Sequence, residues 1–247
     1  MFSFGREFYS YWQSFIRLVY PASCPVCKIP LLLYEPYLCS SCSVKIKPIG
    51  NPKCARCARS LAPYGPSRSI CTACSAQRPF YHRGFTLVKY ESQIKTIFHE
   101  IKFQNKPWLL KVFSGLLAGF LSSFPEFKTY DMMVPIPLDR KKARERGFNQ
   151  AELIARMLKN LGAENKVEVR LIIKKKKKTA PQSQLRRRER LNNLNHAFSI
   201  KKSGDIKGKH ILLIDDIFTT GSTVNECARL LKENGAERVD FFTIARS

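Results

Sequence analysis

The chain has 247 residues, enough for one well-buried domain and a smaller companion. Its 43 Lys and Arg against 19 Asp and Glu leave a formal charge of +24, which favours a polyanionic partner such as nucleic acid, anionic lipid or a phosphorylated small molecule. No run of about 18 apolar residues occurs and the start of the chain has no continuous apolar segment, so neither membrane insertion nor export is expected, and cytoplasmic residence is the default.

Residues 6–20 place Phe8, Trp12, Phe15 and Val19 at helical spacing and predict a short amphipathic helix; a membrane-surface helix would carry more flanking cations. From Pro21 the chain turns to cysteine. Four Cys-x-x-Cys knuckles follow one another: Cys24/Cys27, Cys39/Cys42, Cys54/Cys57 and Cys71/Cys74. Each knuckle places two thiolates on one tetrahedral ion, and two knuckles complete a closed four-cysteine zinc site of structural type. Eleven residues separate the knuckles of the first pair and thirteen those of the second. Sequential pairing gives two zinc ribbons; interleaved pairing also satisfies the spacing. A disulfide framework would suit an exported chain, and no export signal is seen. Cys227 stands alone and reads as a small buried side chain.

From Arg83 the pattern changes, so the expected domains are residues 1–20, 21–82 and 83–247. Residues 84–90 read as a strand, followed by a helix carrying Ile94, Ile97, Phe98 and Ile101 and closing at Lys102-Phe103. Pro107 sets up another helix to about Phe124. A short apolar strand, residues 132–137, leads into a basic loop with five cations and two acids between Asp139 and Arg146, and then a helix over residues 150–161. A basic strand-to-helix loop suits pyrophosphate or a nucleic-acid backbone, with Arg144, Arg146 and the Gly147 amide as contacts.

Residues 167–173 predict a strand, and five lysines follow it: Lys174, Lys175, Lys176, Lys177 and Lys178. Thr179 to Gln182 breaks the regular structure, and a helix restarts with Arg186, Arg187, Arg188 and Arg190. Between Arg170 and Arg190 ten cations face one acid. Such a run is commonly a solvated face, but between two strands of one sheet it is expected as a lid over anionic substrate and as a nucleic-acid track.

Residues 209–226 read KHILLIDDIFTTGSTVNE. Four apolar residues, Ile211 to Ile214, fit a parallel strand buried on both faces. Asp215 and Asp216 would repel a phosphate, but they grip sugar hydroxyls or a divalent cation. Thr219, Thr220, Gly221, Ser222 and Thr223 open a helix through about Leu231, where free amides, hydroxyls and the helix dipole favour an anion. A last strand covers residues 238–245.

The Asp-Asp-x-x-Thr-Thr-Gly-x-Thr pattern resembles the phosphoribosyl pyrophosphate (PRPP) motif of type I phosphoribosyltransferases. The resemblance implies that Asp215 and Asp216 meet the ribose hydroxyls and that Thr219 to Thr223 wrap the 5-phosphate. With the tandem knuckles, Tyr90, Lys102-Phe103, Pro135-Ile-Pro137, Arg146-Gly-Phe-Asn-Gln150, Thr179-x-x-Gln182-x-x-Leu185, Arg190-x-x-Asn193 and Ala197-Phe198, the chain resembles the ComF family of competence-associated bacterial proteins. Lys175 and Lys177 stand where that pattern has arginines, which keeps charge and loses the bidentate fork.

The family resemblance implies an α/β fold: a type I phosphoribosyltransferase-like parallel sheet flanked by helices, behind an N-terminal double zinc ribbon. It implies PRPP with Mg²⁺ as ligand and a role in DNA uptake, where single-stranded DNA passes to competence proteins such as an uptake helicase and a recombination mediator. Tyr64, Phe80 and Tyr81 are candidate base-stacking partners. Two functions stand: a module binding PRPP and single-stranded DNA, or a phosphoribosyltransferase acting on a small acceptor. A nucleobase acceptor is not expected, because no C-terminal hood follows the last strand.

Overall fold

A computed structural model describes residues 22–32, 34–62, 69–162, 166–176, 197–201 and 206–247. The amphipathic helix expected over 6–20, with Phe8, Trp12, Phe15 and Val19, lies outside them, as do Tyr64, Lys177, Lys178, Gln182, Leu185, Arg186, Arg187, Arg188, Arg190 and Asn193. The chain divides into two compact units, Met1–Lys47 with Glu91–Val112, and Pro48–Tyr90 with Phe113–Ser247.

The first unit holds the first knuckle pair, the short helix α1 (Ser40–Ser43) and the helix α3 (Ser92–Phe103). Ile94, Ile97, Phe98 and Ile101 fall at helical spacing and all four are buried, so α3 is held by its apolar stripe. Glu100 accepts from Lys28 Nζ at 3.1 Å and from Lys106 Nζ at 2.6 Å, tying α3 to the knuckle turn and to the segment that follows it.

The second unit contains α2 (Thr72–Gln77) and a five-stranded parallel sheet. Its strands are β1 (Gly84–Lys89), β2 (Met132–Pro135), β3 (Glu168–Val169), β6 (His210–Phe218) and β7 (Arg238–Arg246), in the order β1-β7-β6-β2-β3. Parallel neighbours need crossovers, and α6 (Gln150–Leu161) joins β2 to β3 and α7 (Ser222–Glu233) joins β6 to β7, while α4 (Ser114–Ser123) lies on the longer connection from β1 to β2. Alternation along the strands sorts the core. Met132, Val134, Ile211, Leu213, Val239 and Phe241 share one cluster with Val224, Cys227, Ala228 and Leu231 of α7. The second cysteine pair and Tyr81 belong to that same cluster.

Three sequence expectations change. The basic loop after β2 is a helix, α5 (Arg140–Arg146): the Asp139 carboxylate accepts from the Lys141 amide at 3.0 Å, and Gly147 closes it at φ 70°. The strand expected over 167–173 is two pieces. β3 joins the main sheet, while β4 (Ile173–Lys175) pairs antiparallel with β5 (Phe198–Ile200). The helix expected from Pro107 to Phe124 begins as a 3-10 helix, Pro107–Phe113, before α4.

Candidate functional site

The two cysteine pairs are built alike. In each, a tight turn brings the first two thiols together: Lys28 N–H donates to the Cys24 carbonyl, and Ala58 N–H to the Cys54 carbonyl, both at 2.9 Å. Cys39 and Cys71 stand at the N-caps of α1 and α2, and one turn later Cys42 and Cys74 share their faces. The sulfurs within each group, Cys24/Cys27/Cys39/Cys42 and Cys54/Cys57/Cys71/Cys74, lie within 4.8 Å of one another, which selects sequential over interleaved pairing. Cys27 Sγ and Cys39 Sγ are 3.5 Å apart, and Cys57 Sγ and Cys71 Sγ 3.7 Å. Zinc at about 2.3 Å from four tetrahedral sulfurs sets them roughly 3.8 Å apart, so both groups fit a structural Zn²⁺.

Within each group the thiols are split: burial first, then the neighbouring Cys39 sulfur, pushes Cys42 up to about 12, and burial pushes Cys74 up as well. Burial pushes the Cys24 thiol up, but N–H donors of Cys27, Cys39 and Val26 outweigh it and lower the thiol to about 6. Burial likewise opposes, and donors of Cys71, Cys57 and Arg56 override, at Cys54, lowered to about 7. Burial pushes Cys57 up, partly countered by the Arg59 amide and the Arg246 charge.

The acid pair and the turn after it occupy the carboxyl edge of the sheet. β6 runs on through Phe218, so Asp215 and Asp216 lie inside the strand, half-buried, with the Asp216 amide donating to Asp215 Oδ1 at 2.9 Å. Asp215 shares the parity of Ile211 and Leu213 on the α7 face, where its charge adds to the upward push of burial on the Cys227 thiol. Thr219 and Thr220 are exposed, and Gly221 is the N-cap of α7 at φ 79°. Thr220 and Ser222 hydroxyls lie 2.9 Å apart. A Cβ on Gly221 would sit 2.4 Å from Phe218 Cζ, so both the left-handed backbone and the close approach demand glycine.

β2 and β6 are parallel neighbours, so the segments leaving them emerge side by side. That brings α5, with Arg144 and Arg146, to the same edge as Thr219–Thr223. The Gly147 amide, however, donates to the Ala143 carbonyl at 3.0 Å and closes α5, so it is not open for the anion expected of it. Lys174 is exposed on β4, whereas Lys175 Nζ lies 5.9 Å from the centre of the Phe198 ring on the paired strand. Of the candidate stacking aromatics, Phe80 is half exposed and Tyr81 is buried against Phe218 and Phe241.

Asn149 and Gln150 enter the sequence reading only as part of a pattern, and both have structural roles at this edge. Asn149 caps α6 by accepting from Ala151 N–H at 3.1 Å while its Nδ2 donates to the Ile136 carbonyl at 3.0 Å. Gln150 is 1% exposed with Nε2 unpartnered among the described residues, and a donor buried so deeply calls for an acceptor. A polar residue at an otherwise apolar helix start is the signal by which it could be found.

Residues 144–247 match the family model of the phosphoribosyl transferase domain, and residues 15–81 that of the double zinc ribbon domain. The chain is similar to competence protein F of Haemophilus influenzae, at 30% identity over 91% of this chain and 96% of that protein. It is equally similar to the DNA utilization protein YhgH of Escherichia coli K12, at 30% over 93% and 99%. Competence protein ComFC of Bacillus subtilis is 30% identical over 88% and 87%.

Proposed function

Because the chain belongs to the family of competence protein F, ComFC and DNA utilization protein YhgH, we propose that it binds PRPP with Mg²⁺ and single-stranded DNA and acts in DNA uptake. The observation that carries the PRPP half is the turn at Gly221, a left-handed glycine seated on Phe218 between an acid pair and the N-terminus of α7. In this reading Thr219, Thr220, Ser222 and Thr223 donate hydroxyls to the 5-phosphate, beside the amides of the helix start. Asp215 and Asp216 take the ribose hydroxyls, and Arg144 and Arg146 face the pyrophosphate. Bound Mg²⁺ would neutralise charge on that pyrophosphate, leaving the protein little covalent work.

The DNA half is supported by the +24 charge, by the names of the relatives, and by Lys174 standing exposed on β4. The partners expected with it are an uptake helicase and a recombination mediator. Neutralising Lys174 to Lys178 should flatten the salt dependence of DNA binding, by about 0.7 in slope for each phosphate that is no longer neutralised. The second reading, transfer of phosphoribose to a small acceptor that is not a nucleobase, rests on the acid pair and turn being intact.

Calorimetric titration of the zinc-loaded protein with PRPP and Mg²⁺, with and without a short single-stranded oligonucleotide, tests both. An oligonucleotide that changes PRPP affinity supports the coupled reading; PRPP binding indifferent to DNA favours the small acceptor. Asp215→Ala with Asp216→Ala should abolish PRPP binding and leave DNA binding in place. Unchanged PRPP affinity in that variant overturns the site.

A further inference from the structure

Phe218, the last residue of β6, carries the phosphate turn on its ring. The ring sits where a side chain on Gly221 would be, so its position sets the height of the turn. It is fixed from three directions. Phe241 stacks on it at 4.7 Å between centroids and 13° between planes, and Tyr81 meets it edge-on at 6.2 Å. On the remaining side the Arg246 guanidinium lies 4.6 Å from the ring centre.

Arg246 is an unusual residue to find there. It is only 7% exposed, and its Nη1 donates to the Cys57 carbonyl at 2.7 Å. Among the described residues its side chain thus meets the Phe218 ring and the Cys57 carbonyl, and its charge also acts on the Cys57 thiol. A buried guanidinium is costly to desolvate, and the ring face, the carbonyl and the thiol share in offsetting that cost. The backbone reinforces the pairing: Arg246 is the β7 register partner of Phe218, and Ser247 N–H donates to the Phe218 carbonyl at 3.0 Å.

We propose that Arg246 is a positioning residue for the phosphate turn, bracing the Phe218 ring beneath Gly221 against the backbone of the second cysteine group. That group is then a structural part of the ligand site. The inference rests on the phosphate reading of Thr219–Thr223.

The test uses the zinc-loaded full chain and two ligands, ribose 5-phosphate and inorganic pyrophosphate, each titrated calorimetrically. Arg246→Met keeps an apolar stem and removes the donor and the charge. It is expected to weaken ribose 5-phosphate about tenfold and leave pyrophosphate within about twofold, with two zinc ions still bound per chain. Arg246→Lys, which keeps one donor and the charge, should recover ribose 5-phosphate to within about threefold of the parent. Phe218→Leu keeps the core apolar without a ring face and should give the same split as Arg246→Met, a second route should that variant not fold. Hydrogen exchange of the amides over 219–225, measured without ligand, should quicken in both.

Unchanged ribose 5-phosphate affinity together with unchanged exchange overturns the brace. Equal weakening of both ligands with loss of one zinc ion also overturns it, because Arg246 would then serve only the metal group. If the parent protein itself binds no ribose 5-phosphate, the phosphate reading fails, and the exchange measurement alone decides whether Arg246 holds the turn.

Discussion

The two cysteine groups share one sequence pattern and one local geometry, and they sit in different surroundings. In the first, Cys27 is exposed, and the neighbouring Ile29 and Val44 face solvent. In the second, all four cysteines are buried in one core with Tyr81, Phe218, Cys227 and Phe241. What separates them is the chain that follows the second group. His82 N–H donates to the Val239 carbonyl and Arg83 N–H to Asp240 Oδ1, laying the segment along β7. Gly84 then leaves room for the Phe241 ring and the Arg56 carbonyl, at 2.2 and 2.8 Å from where its Cβ would be. The same knuckle therefore exposes a thiol at Cys27 in one case and is a section of the sheet's core in the other.

The largest test of that contrast removes one ligand from each group. Cys74→Ser should lower the melting temperature of the sheet unit by more than about 10 °C, because a structural zinc supplies many kcal/mol of folding free energy. Cys27→Ser should leave the same transition within about 2 °C. Equal shifts in calorimetry would erase the distinction. Gly221→Ala comes next: the left-handed backbone and the overlap with Phe218 should cost about 2 kcal/mol. That loss should appear as faster zinc release from the second group only, read by metal-sensitive dye after partial unfolding.

A milder probe is a chelator at neutral pH. One zinc ion should leave roughly tenfold faster than the other, since release from a buried group waits on local unfolding. Cys27 should be among the first thiols alkylated in mass spectra, and simultaneous release would break the comparison. The smallest effect is expected at Glu35, whose carboxylate accepts from Ser40 Oγ and Ser40 N–H at 2.6 Å and from Leu32 N–H at 3.0 Å. Those donors, the Ser40 hydroxyl first, hold it below the usual carboxylate range. A depressed folded-state pKa stabilises above the ordinary carboxylate value and fades as pH falls through the depressed one, so the contribution is complete at neutral pH. Glu35→Gln should weaken zinc at the first group about threefold and leave the second untouched, because the carboxylate touches the loop beside Cys39 and no thiolate.

Local features were legible in the sequence. Ile94, Ile97, Phe98 and Ile101 announced α3, Ile211 to Ile214 announced β6, and the Thr219–Thr223 turn announced the start of α7, because each signal lies within a few residues. α5 was hidden by its charge: five cations look like a loop until the Asp139 cap and the Gly147 stop are weighed together. The β4–β5 pair was hidden because the partner of Ile173 is Ile200, far along the chain. Spacing named the eight zinc ligands, and nothing in spacing tells whether a knuckle lies in a core. Arg246 was unreadable for the same reason, its carbonyl partner being 189 residues away.

The place of β7 in the sheet has a consequence for how the protein is made. It lies between β1 and β6, although its residues are the last of the described strands to leave the ribosome. Until residues 238–246 emerge, β1 lacks its one strand neighbour in the described sheet, β6 has one open edge, and the second cysteine group lacks the Phe241 ring of its shared core and the Arg246 donor on the Cys57 carbonyl. A nascent chain halted before Arg238 would thus present two unpaired strand edges and a set of uncovered thiols at once, a state that invites aggregation and oxidation together. Completion of a single strand ends all three exposures.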